Sequence, residues 1–403
     1  MLNLADIHAA RGRIAGGIVH TPTVPALGLR DALPSALHLK LENTQRTGSF
    51  KDRGALNRLL LLTADERRRG VVTASAGNHA QAVAYHGAQL GIRVEVVMPV
   101  RTPLIKVANT ERHGATIVLH GDTLAESMGE AHRREAANGS VFVHAFDDDD
   151  VIAGQGTIGL ELLEQLPGLT VVVVPIGGGG LIGGIAVAIK EQRPEVRVYG
   201  VEAVAAASAL ESRRAGHVVA RETSETIADG IAVKQIGERT FPLIERYVDD
   251  IVTVSEDQIA GAVHLLLERQ KVLAEGAGAA PLAAIAAGLV ALEPRDVAAM
   301  VLSGGNIDLN LLERIIDRGL VTDGRLARLA ITVPDRPGQL ARVMQLVAEA
   351  GANVLEVTHH RAFADASVRD VDIIMHLETR GRKHVGAIVE RLAHHGFRAR
   401  EDV

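Results

Sequence analysis

The chain has 403 residues, 47% of them hydrophobic and 23% charged, which is enough for two or three domains with buried cores. It carries 43 Lys and Arg against 49 Asp and Glu, a formal net charge of −6, so no basic excess calls for nucleic acid or an anionic membrane. There is no cysteine and no tryptophan, and six Phe and three Tyr are the only aromatics besides histidine, which excludes disulfides, thiolate metal sites and a thiol nucleophile and argues against base-stacking platforms.

Residues 1–8 lack a basic flank followed by an apolar run, so no signal peptide is expected and the cytoplasm is the expected compartment. Through about residue 320, short β-branched runs alternate with helical patterns. Strands are predicted at 71–73, 94–98, 116–119, 171–174, 196–201 and 298–302, with helices such as 103–112 and 124–137 between them. Such alternation gives parallel sheets with helices on both faces, and ligands bind in the loops at the carboxyl ends of the strands.

Four of those loops carry chemistry. The first, Thr47-Gly48-Ser49-Phe50-Lys51, follows a strand at 37–42 and opens a helix. A lysine is usually a surface residue. This one sits in a strand-to-helix turn beside one of the few aromatics, and partial burial there would hold its amine near neutrality, as a Schiff-base lysine requires. The second loop, Ser75-Ala76-Gly77-Asn78-His79, follows the 71–73 strand, with Ser75 as the expected N-cap. The same helix start offers free N–H groups to a carboxylate, with Asn78 and His79 as further side-chain donors. Farther on, Asp147-Asp148-Asp149-Asp150 reads as a solvated loop.

The segment 169–189 has no charge over a length that could span a bilayer, but Pro175 and six glycines interrupt it. It reads as a buried strand, a glycine loop (Gly177, Gly178, Gly179, Gly180) and a helix start at Leu181. Amides without Cβ atoms can converge there on a phosphate. No Gly-Lys-Ser/Thr follows, which excludes a nucleoside-triphosphate P-loop. A dinucleotide loop stays open, with Glu202 as the one acidic candidate for a ribose. The fourth loop, Ser303-Gly304-Gly305-Asn306, follows the 298–302 strand.

Past Asp323-Gly324 the pattern becomes strand, helix, strand, strand, helix, strand, a ferredoxin-like unit. Leu340, Val343 and Val347 are expected on the inner face of its first helix. The 17 histidines form no metal-ligand pattern, and the pairs His359-His360 and His394-His395 point apart on their elements. No metal site is predicted.

In this order the four motifs, with Gly154-Gln155-Gly156-Thr157 and Asp229-Gly230-Ile231-Ala232 between them, resemble the fold-type II pyridoxal-phosphate enzymes, and within them the threonine ammonia-lyase family. The tail, with Asp335-Arg336-Pro337-Gly338 at its first turn, resembles an ACT domain. The resemblance implies a fold of two open twisted α/β sheets with flanking helices, followed by a βαββαβ ACT domain. The catalytic domain would cover 1–320 with a small subdomain inserted at about 38–150, the linker 321–327, and the regulatory domain 328–403. It implies pyridoxal 5′-phosphate as cofactor, bound covalently by Lys51, with Phe50 against its ring and Asn78 on the ring's 3′-oxygen. Gly177, Gly178, Gly179, Gly180 and Leu181 would hold the phosphate and Ser303 would meet the pyridine nitrogen. The loop of Ser75, Ala76, Gly77 and His79 would dock the substrate carboxylate.

The implied reaction is β-elimination of L-threonine to 2-oxobutanoate and ammonia, with L-serine giving pyruvate. Serine racemase and other hydroxyamino-acid dehydratases are the alternatives in the same fold. Racemases of this kind carry a serine where this chain has Ala76, which favours the dehydratase. They also hold a divalent ion after the strand ending here at Glu202, where Ala206 and Ser208 follow and a carboxylate is missing. Glu202 is therefore read as a solvated or structural carboxylate. Glu275 has two readings, an active-site residue and a helix-start carboxylate. For the tail, the resemblance implies an amino-acid effector (isoleucine, valine or threonine) at Asp335, Gly338, Gln339 and Asn353, and a homodimer or homotetramer. It leaves isoleucine synthesis and threonine breakdown both open.

Overall fold

The computed structural model describes residues 2–32, 36–360 and 369–402. The chain divides into two compact units, Met1–Ile307 and Asp308–Val403.

The first unit is built on two sheets. The larger runs in the order Thr23–Pro25, Ala36–Leu41, Val297–Leu302, Val171–Pro175, Arg197–Ala203 and Asp250–Val254. Its first pair is antiparallel and the other neighbours are parallel. Val171–Pro175 is buried along its whole length, as an unbroken β-branched run must be when helices cover both faces of a sheet. The helices Asp149–Gln165 and Gly180–Lys190 pack beside it, and every residue from Gly180 to Ile189 is buried. Each large apolar side chain so buried is worth about 1.5–3 kcal/mol. The uncharged 169–189 segment is thus a core strand, a turn and a core helix. No helix among the described residues is long and apolar enough to cross a membrane.

The smaller sheet is parallel, in the order Thr116–Leu119, Val94–Met98, Val71–Ala74 and Val141–Phe142. In the sequence all four strands lie between Ala36–Leu41 and Val171–Pro175 of the larger sheet. Val71, Val94, Val96 and Met98 pack with Ala80, Val83 and Leu59 in its core.

Three local expectations are corrected. A 3-10 turn, Glu42–Thr44, separates the strand Ala36–Leu41 from the Lys51 loop, so the strand does not lead directly into the helix. Ser75 is not the N-cap. Gly77 occupies that position before the helix Asn78–Gln89, and the Ser75 hydroxyl accepts the Gly77 N–H at 3.3 Å inside the loop. The run Asp147 to Asp150 is not a solvated loop. Asp148 caps the helix Asp149–Gln165 by accepting the Asp150 and Val151 N–H groups, and negative charge there suits the helix N-terminus.

The second unit begins with the helix Leu309–Thr322. Its sheet is antiparallel, ordered Asn353–His360, Asp370–Glu378, Leu326–Pro334 and Arg398–Glu401. The helices Gln339–Glu349 and Arg382–His394 supply Val343, Leu346, Val347, Val385, Ile388 and Leu392 to the core over that sheet. Leu340 is not part of that face. It lies in the first turn and is 40% exposed, and Leu346 takes the inner position instead.

Candidate active site

The helix Lys51–Leu60 is fixed before its lysine does anything. It lies against the helix Asp149–Gln165 so closely that a Cβ on Gly154 would fall 2.6 Å from the Gly54 Cα. This close approach is the structural use of Gly154-Gln155-Gly156-Thr157, and Gln155 Oε1 also accepts the Gly54 N–H at 3.2 Å. Behind the helix lies a buried ionic cluster. Arg53 donates to both Glu42 oxygens at 2.8 Å and to Glu161 at 2.6 and 2.9 Å, and Lys40 Nζ meets Glu161 at 2.5 Å. The Asp52 carboxylate takes the Thr47 N–H and hydroxyl, both at 2.9 Å, which folds the loop back onto the helix.

The loop is also tied to the end of the strand Val297–Leu302. Phe50 N–H donates to the Ser303 carbonyl at 2.9 Å, and Ser49 bridges to Gly304. Lys51 and Ser303 therefore share one region at the carboxyl ends of the strands. The Lys51 ammonium donates to the Ala145 carbonyl at 2.7 Å and lies 5.1 Å from the Phe50 ring centre. Burial lowers its pKa to about 8, opposed by the charge of Glu275.

Glu275 is N-cap of the helix Gly276–Ala286, yet its side chain does not cap that helix. It turns instead to Asn78, whose Nδ2 donates to its two oxygens at 2.8 and 3.1 Å. Burial raises its pKa to about 7, with the Asn78 bond opposing. The side chain of Glu275 thus makes no bond to its own helix start, and it meets Asn78 instead. Glu202 is buried and accepts the Ala209 and Leu210 N–H groups at 2.8 and 2.9 Å, so it is a structural carboxylate and not a solvated one.

His79 is buried, and its pKa falls to about 3, first through desolvation and then through the Lys51 charge. Its Nε2 lies 3.1 Å from the Val143 carbonyl, which can only accept, so Nε2 carries the single ring proton. The imidazole thus has no N–H to offer an incoming carboxylate, contrary to the side-chain donor expected from the sequence. The helix-start N–H groups at Asn78 and His79 remain suited to that task.

The glycine loop ends in Gly179, whose φ of +91° is open to glycine at little cost, as N-cap of the helix Gly180–Lys190. The N–H groups of Gly180 and Leu181 begin that helix and have no partner within it. A Cβ on Gly178 would fall 2.2 Å from the Phe146 ring, which covers the loop. Pyridoxal phosphate fits these residues. A helix start bared of side chains suits its phosphate, a half-buried amine its aldehyde, and Ser303, 2% exposed at a strand end, its ring nitrogen. Two buried polar atoms beside the lysine loop and the Asn78 loop, Ser49 Oγ and His79 Nδ1, lack partners among the described residues.

The pyridoxal-phosphate dependent enzyme family matches residues 14–304 and the ACT domain residues 327–394. An L-threonine ammonia-lyase of Thermotoga maritima is 46% identical over 404 residues, 99% of each chain. The chain belongs to the threonine ammonia-lyase family of pyridoxal-phosphate-dependent enzymes. A solved threonine deaminase, from the organism abbreviated T.th., is 42% identical with a TM-score of 0.72, over 76% of this chain and 99% of its own. A serine racemase of Dictyostelium discoideum shares the fold with a TM-score of 0.72 at 35% identity, over 76% of this chain and 99% of its own.

Against this family frame, sequence reasoning missed Glu42, Arg53 and Glu161, which anchor the lysine helix, and the Ala145 carbonyl and Phe146. The run Lys51-Asp52-Arg53 at a helix start did not mark them, since the helix Ala64–Arg69 carries five charged residues in succession and none of them is buried. A backbone carbonyl such as that of Ala145 leaves no mark in a sequence.

In the tail, Asp335 and Gly338 lie in the exposed turn that opens the helix Gln339–Glu349. Asn353 is elsewhere. It pairs in register with Glu378, which pairs with Leu326, whereas Pro334 pairs with Asp370 at the other end of the sheet. Within one chain the turn and Asn353 do not meet.

Proposed function

We propose that this chain converts L-threonine to 2-oxobutanoate and ammonia, losing the Cα proton and β-hydroxyl as water before the resulting enamine tautomerises and is hydrolysed, and that L-serine, as a secondary activity, gives pyruvate by the same route. The observation that carries the reading is the half-buried Lys51 amine, with its pKa near 8, tied by its loop to Ser303. When bound, pyridoxal phosphate supplies an electron sink for the pair released at the substrate Cα.

The chain's own residues do the rest. Lys51 would hold the cofactor, and its free amine would remove the substrate Cα proton as general base. Phe50 would lie against the ring and Asn78 would donate to its 3′-oxygen. The N–H groups of Gly177, Gly178, Gly179, Gly180 and Leu181 would hold the phosphate. The loop of Ser75, Ala76, Gly77 and His79 would take the substrate carboxylate on the N–H groups of the helix start, since the Ser75 N–H donates to the Val97 carbonyl at 3.2 Å and the Gly77 N–H to the Ser75 hydroxyl. Ser303 can only share a hydrogen bond with the ring nitrogen, which makes a weaker sink than a carboxylate would. That suits an elimination, where the leaving β-hydroxyl takes the electrons. Ala76 offers a methyl group where a second base would be needed for racemisation. Release of 2-oxobutanoate from L-threonine by the purified chain tests the assignment, and its absence overturns it.

Glu275 sets a pH effect. Its negative charge raises the Lys51 pKa, so Glu275→Gln lowers that pKa below about 8. The neutral amine is the form that captures the cofactor. The pH–rate curve for pyridoxal-phosphate capture by cofactor-free protein is therefore expected to shift to lower pH in Glu275→Gln. An unchanged or raised midpoint would contradict the coupling.

Catalysis is assigned to residues 1–320 and regulation to 328–403, joined by 321–327, in a cytoplasmic homodimer or homotetramer. An amino acid would bind at Asp335, Gly338 and Gln339, and Asn353, at the opposite end of the sheet, would serve a neighbouring copy. An effector shifts activity only by its different affinity for two states. Ending the chain at Asp323 is expected to keep elimination and abolish any response to isoleucine, valine or added threonine. The solved threonine deaminase is matched over 99% of its length by 76% of this chain, which supports a stable shortened form. A response that survived the truncation would remove the tail from regulation.

A further inference from the structure

The loop Ser303-Gly304-Gly305-Asn306 contributes more than its serine. The Asn306 side-chain amide donates to the Thr47 carbonyl at 2.8 Å and to Asn78 Oδ1 at 2.8 Å. Asn78 Nδ2 then donates to Glu275. Four segments distant in sequence are thus joined in one line: the lysine loop, the start of the helix Asn78–Gln89, Glu275 and the loop after the strand Val297–Leu302.

The polarity of this line has a fixed origin. A backbone carbonyl only accepts, so the group that Asn306 turns to Thr47 is its NH₂. The same NH₂ reaches Asn78, which must present its oxygen. Asn78 is thereby left with its NH₂ directed at the Glu275 carboxylate, also an acceptor. An asparagine amide is nearly symmetric in shape, so packing alone would hold it almost equally well in the flipped orientation. The two hydrogens of one NH₂ diverge, so a single carboxylate engages one of them and the second stays available to another acceptor. Gly48, with φ of +79°, makes room for the relay, because a Cβ there would fall 2.6 Å from Asn306 Oδ1.

We propose that Asn306 is a positioning residue that sets the amide orientation of Asn78, so that the Asn78 NH₂ and not its oxygen serves both Glu275 and the ring oxygen of the cofactor. The inference rests on the assignment of Asn78 made above. Asn306 is itself an exposed residue, so a change of its polarity reaches the site without burying a charge.

Asn306→Asp keeps the shape and removes the donor. The carboxylate repels the Thr47 carbonyl and draws the Asn78 NH₂ toward itself, which turns the Asn78 oxygen to Glu275 and to the cofactor. Asn306→Ala removes the line without reversing it. The test is titration of cofactor-free full-length protein with pyridoxal phosphate, followed by visible absorbance, with thermal unfolding of each variant alongside. Asn306→Asp is expected to bind roughly tenfold or more weakly than wild type and more weakly than Asn306→Ala, with unfolding little changed. The absorbance of the cofactor bound to Asn306→Asp is expected to titrate at higher pH than in wild type, because an ionised ring oxygen has lost its donor. A purely packing role predicts the opposite rank, with alanine the worse. That rank, or wild-type affinity and an unmoved titration in Asn306→Asp, overturns the proposal. Failure of the wild-type protein to take up pyridoxal phosphate would instead strike the functional reading beneath it.

Discussion

Lys51→Ala is expected to remove lysine-bound pyridoxal phosphate and to lower keto-acid release from L-threonine by at least about 10³-fold. The size of the effect follows from two duties held by one nitrogen, covalent attachment of the cofactor and removal of the Cα proton. The site prepares that nitrogen for both. At an ordinary lysine pKa of 10.5, well under a thousandth of the amine is neutral at about pH 7, whereas at about 8 roughly a tenth is. The lowering is a desolvation effect, and the nearby Glu275 limits it. The checks are the visible spectrum of the purified variant and a keto-acid assay at saturating L-threonine. Activity within about tenfold of wild type would show that another group is the base.

Arg53→Ala is expected to cost about 3–5 kcal/mol of folding free energy, read as a lower urea midpoint by far-ultraviolet circular dichroism. Arg53 and Lys40 balance Glu42 and Glu161 in a cluster whose side chains are at most 4% exposed. Removing the guanidinium leaves two buried carboxylates with one ammonium, Lys40, which is bonded to Glu161 and not to Glu42. The Glu42 side chain, gripped at 2.8 Å on both oxygens, loses its main partner. The cluster also joins the strand Ala36–Leu41 and the 3-10 turn after it to the helices Lys51–Leu60 and Asp149–Gln165, so the loss reaches the base of the lysine helix. A decrease under about 1 kcal/mol would mean that Glu42 and Glu161 take up protons or water cheaply.

Most of the fold around the four loops was legible because it depends on local chemistry. The run Val171-Val172-Val173-Val174 reads as a buried strand in any context, and the strand found there is Val171–Pro175. Glycines without intervening side chains mark a loop where backbone must be approached. The Lys51, Asn78 and Ser303 motifs each sit where a strand hands over to a loop or helix, and the fold gathers them at one end of its strands. What stayed hidden depends on pairs far apart in the chain. Arg53 and Glu161 are 108 residues apart, and Asn78 and Glu275 are 197 apart, so no periodicity links them. The strand Val141–Phe142 has two residues, too few to show an alternation. Ser75 misled because serine is the usual cap, whereas here Gly77 stands nearer the helix and Ser75 bonds within its own loop. His79 misled because its second nitrogen is tied to the Val143 carbonyl, a partner invisible in the sequence.

The measurement that bears most directly on the function is a product analysis of wild-type protein, loaded with pyridoxal phosphate and supplied with L-threonine. The account predicts 2-oxobutanoate and ammonia in equal amounts, with the rate lost when the cofactor is stripped and restored when it is returned. Loaded protein that leaves L-threonine intact, or that racemises L-serine without releasing pyruvate, would contradict it.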